Sequence, residues 1–302
     1  MRPATEQTYR QRILRALVHI QAHLDEDLSL EALARVACFA PHHFHYIFGA
    51  MVGESVKEHV RRLRLERAAH RLLFSNQPVT RIAFDAGYET HESFTRAFRA
   101  MFDTSPSHFR TRQRERWHRP VPSGIHYSPE GKPEEFNPMQ RRGPPMNVRI
   151  ETLKPMKVAF LRHVGPYDDE GIHQTWQKLH AWAAQHRLVG PQAKLIGISH
   201  DNPHVTPADK LRYDACIATD QPFEPEGDLG AQVIPGGDYA VTTHRGPYEK
   251  LPETYGRLYG EWLPQSGRDP ADLPGFQHHH NAPPETAPED LLTDIYVPLK
   301  PR

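Results

Sequence analysis

Two internal repeats constrain the fold of this chain more than any other feature of its sequence. In the N-terminal part, an offset of 50 residues aligns three pairs of positions: Phe44 with Phe94, Phe48 with Phe98, and Ser55 with Ser105. In the C-terminal part, the pentapeptide HVGPY at 163–167 recurs 81 residues later as HRGPY at 244–248. Self-similarity at a fixed offset is typical of duplicated structural units. The sequence therefore predicts two different halves, each made of two similar units.

Local composition and apolar periodicity divide the chain in the same way. Residues 8–116 show helical periodicity almost throughout, and residues 117–146 contain seven prolines without apolar periodicity, which is typical of an extended linker. From 147 to 302, β-branched runs alternate with helical stretches, which predicts an α+β domain. A length of 302 residues also favours two domains.

The formal net charge of zero conceals an asymmetry between these halves. Up to Arg119 there are 19 Lys+Arg against 13 Asp+Glu, a net charge of +6, and the remaining residues hold 18 against 24, a net charge of −6. A basic half joined to an acidic half is consistent with a polyanion binding to the first half only. A solvated arginine-rich helical face explains the same charge equally well.

Several classes of protein are disfavoured by the sequence. No apolar run is long enough for a membrane span, and the N-terminal sequence MRPATEQTYRQR lacks the apolar core of a signal peptide, so we expect a cytoplasmic protein. The two cysteines, Cys38 and Cys216, exclude a disulfide framework. No phosphate-binding loop, nucleophile elbow or pair of catalytic carboxylates is evident, so we expect no enzyme and no cofactor.

The first helical unit has the pattern of a helix-turn-helix. A helix is predicted over Leu30–Ala37, and Pro41 suits the first turn of the next helix. The second helix buries an apolar stripe and turns three polar side chains outward, namely His42, His45 and Tyr46. A long helix follows, opened by a capping box at 55–58 and predicted to reach about Phe74.

The second unit repeats this arrangement. Gly87 supplies the positive φ that the turn requires, and Ser105 with Pro106 begins a last short helix. The stripe of Phe94, Ala97, Phe98 and Met101 leaves five polar side chains outward: His91, Glu92, Thr95, Arg96 and Arg99. Two three-helix units joined by one long helix can place two recognition helices in successive major grooves, about 34 Å apart. A three-helix bundle without a DNA-binding role is the alternative.

The helical half resembles the AraC-type transcription regulators. The resemblance rests on LSLEALARVACFAPHHFHYIFGAMVGES and VTRIAFDAGYETHESFTRAFRAMFDTSPSHFR. It implies that the outward residues of both recognition helices contact base edges in promoter DNA, with Arg99 facing phosphates, and it leaves RNA polymerase open as a further partner. The first recognition helix departs from the family pattern, with Ala40 in place of Ser, Tyr46 in place of Arg and Gly49 in place of Lys. We therefore expect the second unit, with Arg96, to supply more of the specificity.

The α+β half is predicted to be a duplicated strand-helix-strand-strand domain with a groove between its halves. Its aromatic residues can line such a groove, although a core position is the commoner role for any one of them. The aromatic candidates are Tyr167, Trp176, Tyr248, Trp262 and Tyr296. The two Gly-Pro pairs, at 165–166 and 246–247, are expected to form turns.

This half resembles the gyrase-inhibitor-like effector domains of Rob-like regulators, most clearly in HRGPYEKLPETYGRLYGEWLPQSGR and LLTDIYVPL. The resemblance implies multidrug sensing, in which lipophilic, often cationic, small molecules are bound by aromatic walls and a buried glutamate. Here Gln277 stands in place of that glutamate and His279 in place of a tyrosine. Because glutamine offers no charge compensation, we expect a neutral, polar-aromatic effector, or an anionic one only if a histidine is protonated.

Three other interpretations remain open at this stage. The C-terminal domain could be a hydrolase, although that activity also depends on the replaced glutamate, or a sink that sequesters a toxic molecule. It could instead be an interaction module for a basic partner such as an enzyme of DNA topology.

The run His278–His280 suggests a metal site, but no further ligand at suitable spacing is evident, so the sequence favours no bound metal.

Overall fold

The computed structural model describes residues 3–111, 118–131, 136, 138–139, 145–167, 169–188, 193–201, 203 and 206–302. The chain forms two compact units, one over Gln7–Gln140 and the other chiefly over Arg141–Arg302. The first unit is helical, and the second is a curled antiparallel sheet with helices. Among the described residues, no helix has the length and apolar character needed to cross a membrane.

The described part of the helical unit contains seven helices. They are α1 Pro3–Ala22, α2 Leu30–Ala37, α3 Pro41–Val52, α4 Val56–Phe74, α5 Val79–Asp85, α6 His91–Phe102 and α7 Pro106–Thr111.

Local sequence signals explain where helices α2 to α4 begin and end. The Ser29 hydroxyl caps α2 by accepting a hydrogen bond from the Ala32 N–H at 3.2 Å, and Cys38 ends this helix in the left-handed conformation, at φ 57°. The predicted capping box of α4 is confirmed, because Ser55 and Glu58 each accept a hydrogen bond from the backbone N–H of the other. Helix α4 also ends at Phe74, as predicted.

The apolar stripes predicted for α3 and α6 form the cores of the two helical segments. Phe44, Ile47 and Phe48 of α3 are fully buried. In the second segment, Phe94 and Phe98 pack with Phe102 and Phe109 in one aromatic cluster. The Gly87 turn has φ 82°, and the Nη1 of Arg64 lies 3.2 Å from the position of a Cβ there. A side chain at this turn would therefore be strained and crowded.

The described residues of the predicted linker pack on the helical unit, contrary to the picture of an extended tether. Ile125 and Phe136 are almost fully buried. The Met139 N–H donates to the Met51 carbonyl at 2.8 Å, and the Gln21 amide donates to the His126 carbonyl at 2.6 Å. Apolar anchors at intervals thus hold the described part of this proline-rich segment, which we call the strap (residues 118–131, 136, 138 and 139). Residues 117, 132–135, 137 and 140–144 of the predicted linker lie outside the described residues.

The C-terminal unit is built on one eight-stranded antiparallel sheet with the order β1-β6-β8-β7-β3-β4-β2-β5. The strands are β1 Arg149–Leu153, β2 Met156–Val164, β3 Leu195–Ser199, β4 Arg212–Ala218, β5 Leu229–Ile234, β6 Gly237–Arg245, β7 Phe276–His279 and β8 Leu292–Pro298. Helix α8 (Asp169–Gln185) follows β2. A continuous helical run follows β6, made of α9 (Leu251–Arg257), a π-helical turn (Leu258–Trp262) and α10 (Leu263–Ser266).

The two faces of the sheet bury different side chains. One face carries the helices, because Leu179 and Ala183 of α8 pack on Ala159 and Ile217. The opposite face buries an apolar cluster that includes Val158, Ile196, Val241, Phe276 and Tyr296. Because side chains alternate along a strand, the register assigns every strand residue to one of these faces. We call them the helix face and the inner face.

Strand β5 was not predicted from the sequence. Its residues, LGAQVI, include a glycine and an alanine, and its two β-branched residues, Val233 and Ile234, stand only at the end of the strand. The strand forms because β2 supplies a partner, with a register that runs from Met156 opposite Ile234 to Leu161 opposite Leu229. Tertiary pairing thus overrides a weak local preference.

Candidate functional site

Helix α6 presents a polar surface opposite its buried phenylalanines. The Thr90 side chain caps this helix by accepting a hydrogen bond from the Ser93 N–H at 3.1 Å. Four of the five predicted DNA-contacting side chains on α6 are exposed: His91, Glu92, Arg96 and Arg99. Residues three and four apart share a helix face, so Glu92, Arg96 and Arg99 form one row. Thr95 differs from the outward placement that we predicted. Its side chain is half-buried rather than exposed, and its Oγ1 is shielded from solvent.

Helix α3 presents its predicted residues much less openly. His42, His45 and Tyr46 are all half-buried rather than fully outward. Their rings pack against neighbouring side chains on the same helix: the His45 and Tyr46 centroids lie 3.8 Å apart, and those of His42 and His43 lie 4.1 Å apart. The sequence pattern gave the correct buried stripe, but it could not show that these rings fold back along the helix surface.

Most arginines of α4 hold the helical unit together instead of facing outward. Arg64 donates to the carbonyl oxygens of Leu24 and Glu26 at 2.9 and 2.8 Å, and Arg67 donates to Asp25 at 2.6 Å. Arg71 pairs with Asp85 at 2.8 Å. Part of the positive charge in this half therefore belongs to arginines that stabilise the helical unit. The count of charged residues overestimated how many cations are available to contact phosphates.

Arg62 is the centre of a buried ionic network. It donates two hydrogen bonds to Glu54, at 3.0 and 2.5 Å, and one to Glu66 at 2.9 Å. Glu66 also accepts the backbone N–H of Tyr127 at 2.7 Å, which ties the strap to α4. Burial opposes ionisation of Glu54, but hydrogen bonds from His59 and Arg62 outweigh it and lower the pKa of Glu54 to about 2.

The helix face of the C-terminal sheet brings four predicted effector-binding residues near one another. Gln277 and His279 both lie on this face of β7, and the Gln277 Nε2 donates to the Tyr255 hydroxyl at 3.1 Å. The His279 ring makes edge contacts with Trp176 of α8 and with Tyr248, at centroid distances of 6.0 and 5.2 Å. We call this group the effector cluster: Trp176, Tyr213, Tyr248, Tyr255, Gln277 and His279.

His279 has the properties of a neutral ligand-binding group. Burial, with smaller contributions from His278 and His280, lowers its pKa to about 4. Its Nδ1 lies 3.3 Å from the Thr293 hydroxyl, whereas its Nε2 is buried and has no hydrogen-bond partner among the described residues. A buried nitrogen in this state favours a ligand that supplies the missing hydrogen bond.

Gly197 leaves room beside this nitrogen. A Cβ at this position would lie 2.3 Å from the Tyr213 hydroxyl oxygen and 3.1 Å from the His279 Nε2. The Trp176 indole N–H donates to the same Tyr213 hydroxyl at 3.3 Å. Any larger residue at 197 would displace both side chains, so the cluster requires a glycine at this position.

Three predicted effector residues are not members of this cluster. Tyr296 is on the inner face, where its ring stacks on Phe276 at 4.4 Å, so it lies on the opposite side of the sheet from Gln277. Tyr167 lies at the margin of the cluster, because its ring contacts the edge of Tyr213 at a centroid distance of 6.3 Å, while its hydroxyl donates to the Arg212 carbonyl at 2.7 Å. Trp262 is half-buried in the π-helical turn, and no contact with the effector cluster is seen for it among the described residues.

Two members of the effector cluster were not among the predicted site residues. Tyr255 was evident only as one of many aromatic residues in its helix. Tyr213 lies in a strand whose β-branched and apolar neighbours indicated nothing beyond a core position. The cross-strand register carries the missing information, because β3 places Gly197 between Ala215 of β4 and Gln277 of β7.

Comparisons with known proteins assign both halves of the chain. A model of the GyrI-like small molecule binding domain matches residues 146–300, just over half of the chain, and a helix-turn-helix domain model matches residues 33–112. The "DNA gyrase inhibitor" of Erwinia billingiae (strain Eb661) is 32% identical over 157 residues, which are 51% of this chain and 97% of that protein.

Two further relatives match different lengths of the chain. The "Right origin-binding protein" of Escherichia coli (strain K12) is 22% identical over 294 residues, which are 94% of this chain and 96% of that protein. The "Uncharacterized HTH-type transcriptional regulator YbfP" of Bacillus subtilis (strain 168) is 36% identical over 103 residues, which are 34% of this chain and 35% of that protein. The chain belongs to the GyrI-like family, and it joins a GyrI-like small-molecule-binding domain to a helix-turn-helix domain of the AraC type.

Proposed function

We propose that this protein is a transcription regulator whose helical unit binds promoter DNA and whose C-terminal domain binds a small-molecule effector. The observation that carries the DNA-binding part is the exposed row Glu92, Arg96 and Arg99 on α6, opposite the fully buried Phe94 and Phe98. The hydrolase, sink and protein-interaction alternatives are not favoured, because the matched domains are of the DNA-binding and small-molecule-binding kinds.

In this proposal, helices α2–α3 and α5–α6 are two helix-turn-helix units that α4 joins. The 19 residues of α4 span about 28 Å at 1.5 Å per residue. This length is close to the ~34 Å between successive major grooves on one side of a duplex. Helices α3 and α6 would then each enter a major groove, with α6 supplying more specificity because Arg96 is exposed, whereas the polar side chains of α3 are half-buried.

We expect Arg96→Ala and Arg99→Ala to affect DNA binding in different ways. Loss of a base-contacting arginine should weaken the cognate site by about 1–3 kcal/mol and relax its sequence preference. Loss of the phosphate contact assigned to Arg99 should weaken all sequences about equally and reduce the salt dependence. Footprinting and fluorescence anisotropy at several salt concentrations measure both effects. Unchanged binding in both variants would show that another face contacts DNA.

The C-terminal domain is proposed to be a duplicated unit of the form strand-strand-helix-strand-strand, which has one strand more than the strand-helix-strand-strand unit expected from the sequence. Strands β1 to β4 begin at 149, 156, 195 and 212, and strands β5 to β8 begin at 229, 237, 276 and 292, so each recurs about 80 residues later. The repeated turns also match, since Gly165 and Gly246 donate to the carbonyl oxygens of Leu211 and Leu291, each at 2.9 Å. The effector cluster takes Trp176 from the first unit and Tyr248 and His279 from the second, which supports a site where the two units meet.

The effector is proposed to be a neutral molecule with an aromatic part and at least one hydrogen-bonding group. The contacts that Gln277 and His279 make in the effector cluster involve Tyr255, Thr293, Trp176 and Tyr248, and none of these four side chains is charged. The low pKa of His279 disfavours a protonated imidazole at neutral pH, which removes the reason to expect an anion. An aromatic ligand that hydrogen-bonds the His279 Nε2 fits best.

This proposal predicts that Gln277→Glu changes the charge preference of the site. The unmodified protein should bind a neutral aromatic dye more tightly than its cationic analogue, because a cation would be buried without a counter-ion. A carboxylate at 277 should improve cation binding relative to the neutral analogue by about tenfold or more, equivalent to ~1.4 kcal/mol. Competitive fluorescence titration measures both. Gln265→Glu, which adds the same charge at an exposed position, is the control. A preference for cations in the unmodified protein would contradict the proposal.

Coupling between the domains requires an effector that binds two conformations with different affinities. Because the strap packs on the helical unit as far as Met139, only nine residues separate it from β1 at Arg149. A connection this short restricts the relative motion of the domains more than a 30-residue tether would. The proposed regulation therefore depends on a short connection.

A further inference from the structure

A cluster of potential metal ligands lies on the inner face of the C-terminal sheet, away from the effector cluster. The pairing of β7 with β8 places His278 directly opposite Asp294. The His280 Nε2 lies 3.0 Å from the Asp294 Oδ2. Ligand atoms of His278, His280 and Asp294 all lie within 4.8 Å of one another. Neither DNA binding nor effector binding uses these three side chains.

The equivalent place in the other half of the sheet holds an ion pair instead. There Asp214 lies opposite Ile198 on one neighbouring strand and opposite Arg162 on the other. Both nitrogens of the Arg162 fork donate to Asp214, at 2.7 and 2.9 Å, and His200 lies 2.7 Å from the same carboxylate. The bidentate guanidinium fills the space where a metal cation would bind, and it neutralises the carboxylate charge that would attract such a cation.

The residues around Asp294 differ from those around Asp214 at two positions, and both differences favour metal binding at Asp294. His278 occupies the position of Ile198, and Thr243 occupies the position of Arg162. The first difference adds an imidazole opposite the aspartate, and the second removes the bidentate cation. The histidine–aspartate pair is common to both places, so only the β7–β8 copy offers two imidazoles and a carboxylate.

The surroundings orient these groups for a metal ion. The Thr243 hydroxyl donates to the Asp294 Oδ1 at 2.5 Å, which fixes the carboxylate as outer-shell hydrogen bonds do in metalloproteins. Arg149 also donates to Asp294 at 2.7 Å, but its side chain is 45% exposed and pairs with Glu151 as well, so it can turn towards solvent.

We infer that His278, His280 and Asp294 form a binding site for a divalent transition-metal ion of the Zn²⁺ type. Two imidazoles and one carboxylate are ligands that Zn²⁺ accepts, and water completes a tetrahedral shell. A second cluster of this kind, Glu66 with His118 and His126, is a weaker candidate. There the buried Arg62 donates directly to the carboxylate, and burial prevents it from turning away.

Titration of the full-length protein with ZnCl₂ after treatment with a chelator tests the site. Isothermal titration calorimetry should detect one equivalent of Zn²⁺. His278→Ile, which installs the residue of the other half, and His280→Ala should each weaken binding by well over tenfold. Thr243→Ala should weaken it by about 10–100-fold, as expected for loss of an outer-shell hydrogen bond. Cobalt substitution should give the intense visible absorption of a tetrahedral site, and His278→Ile should abolish that absorption.

Matched controls separate this site from the other histidines. His200→Ala removes the equivalent histidine of the other half, and the double variant His118→Ala/His126→Ala removes the alternative cluster. Both should keep the affinity of the unmodified protein. The inference is overturned if His278→Ile and His280→Ala keep full affinity for Zn²⁺, or if the double variant loses Zn²⁺ binding. It is also overturned if the unmodified protein does not bind Zn²⁺ at micromolar concentration. Circular dichroism without metal confirms that each variant is folded, and Thr243→Ala provides a mild variant if a histidine replacement does not fold.

Discussion

Replacement of Phe98 by alanine is expected to lower the free energy of unfolding of the helical unit by about 3–5 kcal/mol. The Phe98 side chain is fully buried, and its ring lies 4.5 Å from that of Phe102 and 5.2 Å from that of Phe109. Its removal leaves a cavity between α6 and α7 and loosens the helix that carries Arg96. We therefore expect the variant to lose specific DNA binding as well as stability.

Phe84→Ala provides a control of the same chemistry in the same unit. Phe84 lies on α5 and is 56% exposed, so its replacement should change stability by about 0.5 kcal/mol or less. Denaturant unfolding followed by circular dichroism gives both values, and anisotropy with promoter DNA gives the affinity. Because the two units are compact and separate in the chain, effector binding by the C-terminal domain should persist in Phe98→Ala. Equal stability of the two variants would contradict the assigned core.

Replacement of Arg62 by methionine is expected to cost about 3–5 kcal/mol, because it removes one partner of a buried ionic network. Methionine fills much of the arginine volume, so the loss is chiefly electrostatic. Glu54 and Glu66 would then lie close together without the guanidinium that both contact. Since Glu66 also accepts the Tyr127 N–H, we expect the strap to detach more easily, which limited proteolysis near residues 118–131 would detect.

The cost of Arg62→Met should depend on pH in a defined direction. In the unmodified protein, the pKa of Glu54 is lowered from 4.5 to about 2, so its ionised form stabilises the folded state. That contribution is fully present above pH 4.5 and is lost as the pH falls towards 2. Without Arg62 the pKa of Glu54 should rise, so the difference in stability between the two proteins should be largest near neutral pH and shrink in acid.

Arg61→Met tests whether this effect is specific to the network. Arg61 is the neighbouring residue of the same helix and is exposed. We expect its replacement to leave both the stability and its pH dependence nearly unchanged, as for most surface positions. If Arg61→Met and Arg62→Met were equally destabilising at every pH, the network would have no special role.

Local signals in the sequence were sufficient for most of the helical unit. The capping box at Ser55, the glycine turn at 87 and the apolar stripes of α3 and α6 all act over a few residues, so the sequence alone specified them. The same is true of the repeated Gly-Pro turns and of six strands in the C-terminal domain. These features depend on backbone preference and on periodic burial, both of which can be read within one element.

Long-range pairing decided what the sequence left open. Arg61 and Arg62 are identical in type and adjacent in the chain, yet Arg61 is exposed whereas Arg62 contacts Glu54 and Glu66, because the strap packs on the side of α4 that carries Glu66. In the same way, the strap is part of the helical unit through two contacts between distant residues, Gln21 with His126 across 105 positions and Glu66 with Tyr127 across 61 positions.

The C-terminal sheet shows the same division between local and long-range information. Its sequence by itself contains the repeated segments HVGPY and HRGPY and the unusual Gln277 and His279, because repeats and residue identity need no partner. Only the register of β7 against β3 and β8 decided that His279 faces Trp176, that Tyr296 faces away from it, and that Asp294 lies beside His278. A shift of one residue would reverse every side chain of a strand, and the hydrogen bonds that prevent such a shift join segments far apart in the chain.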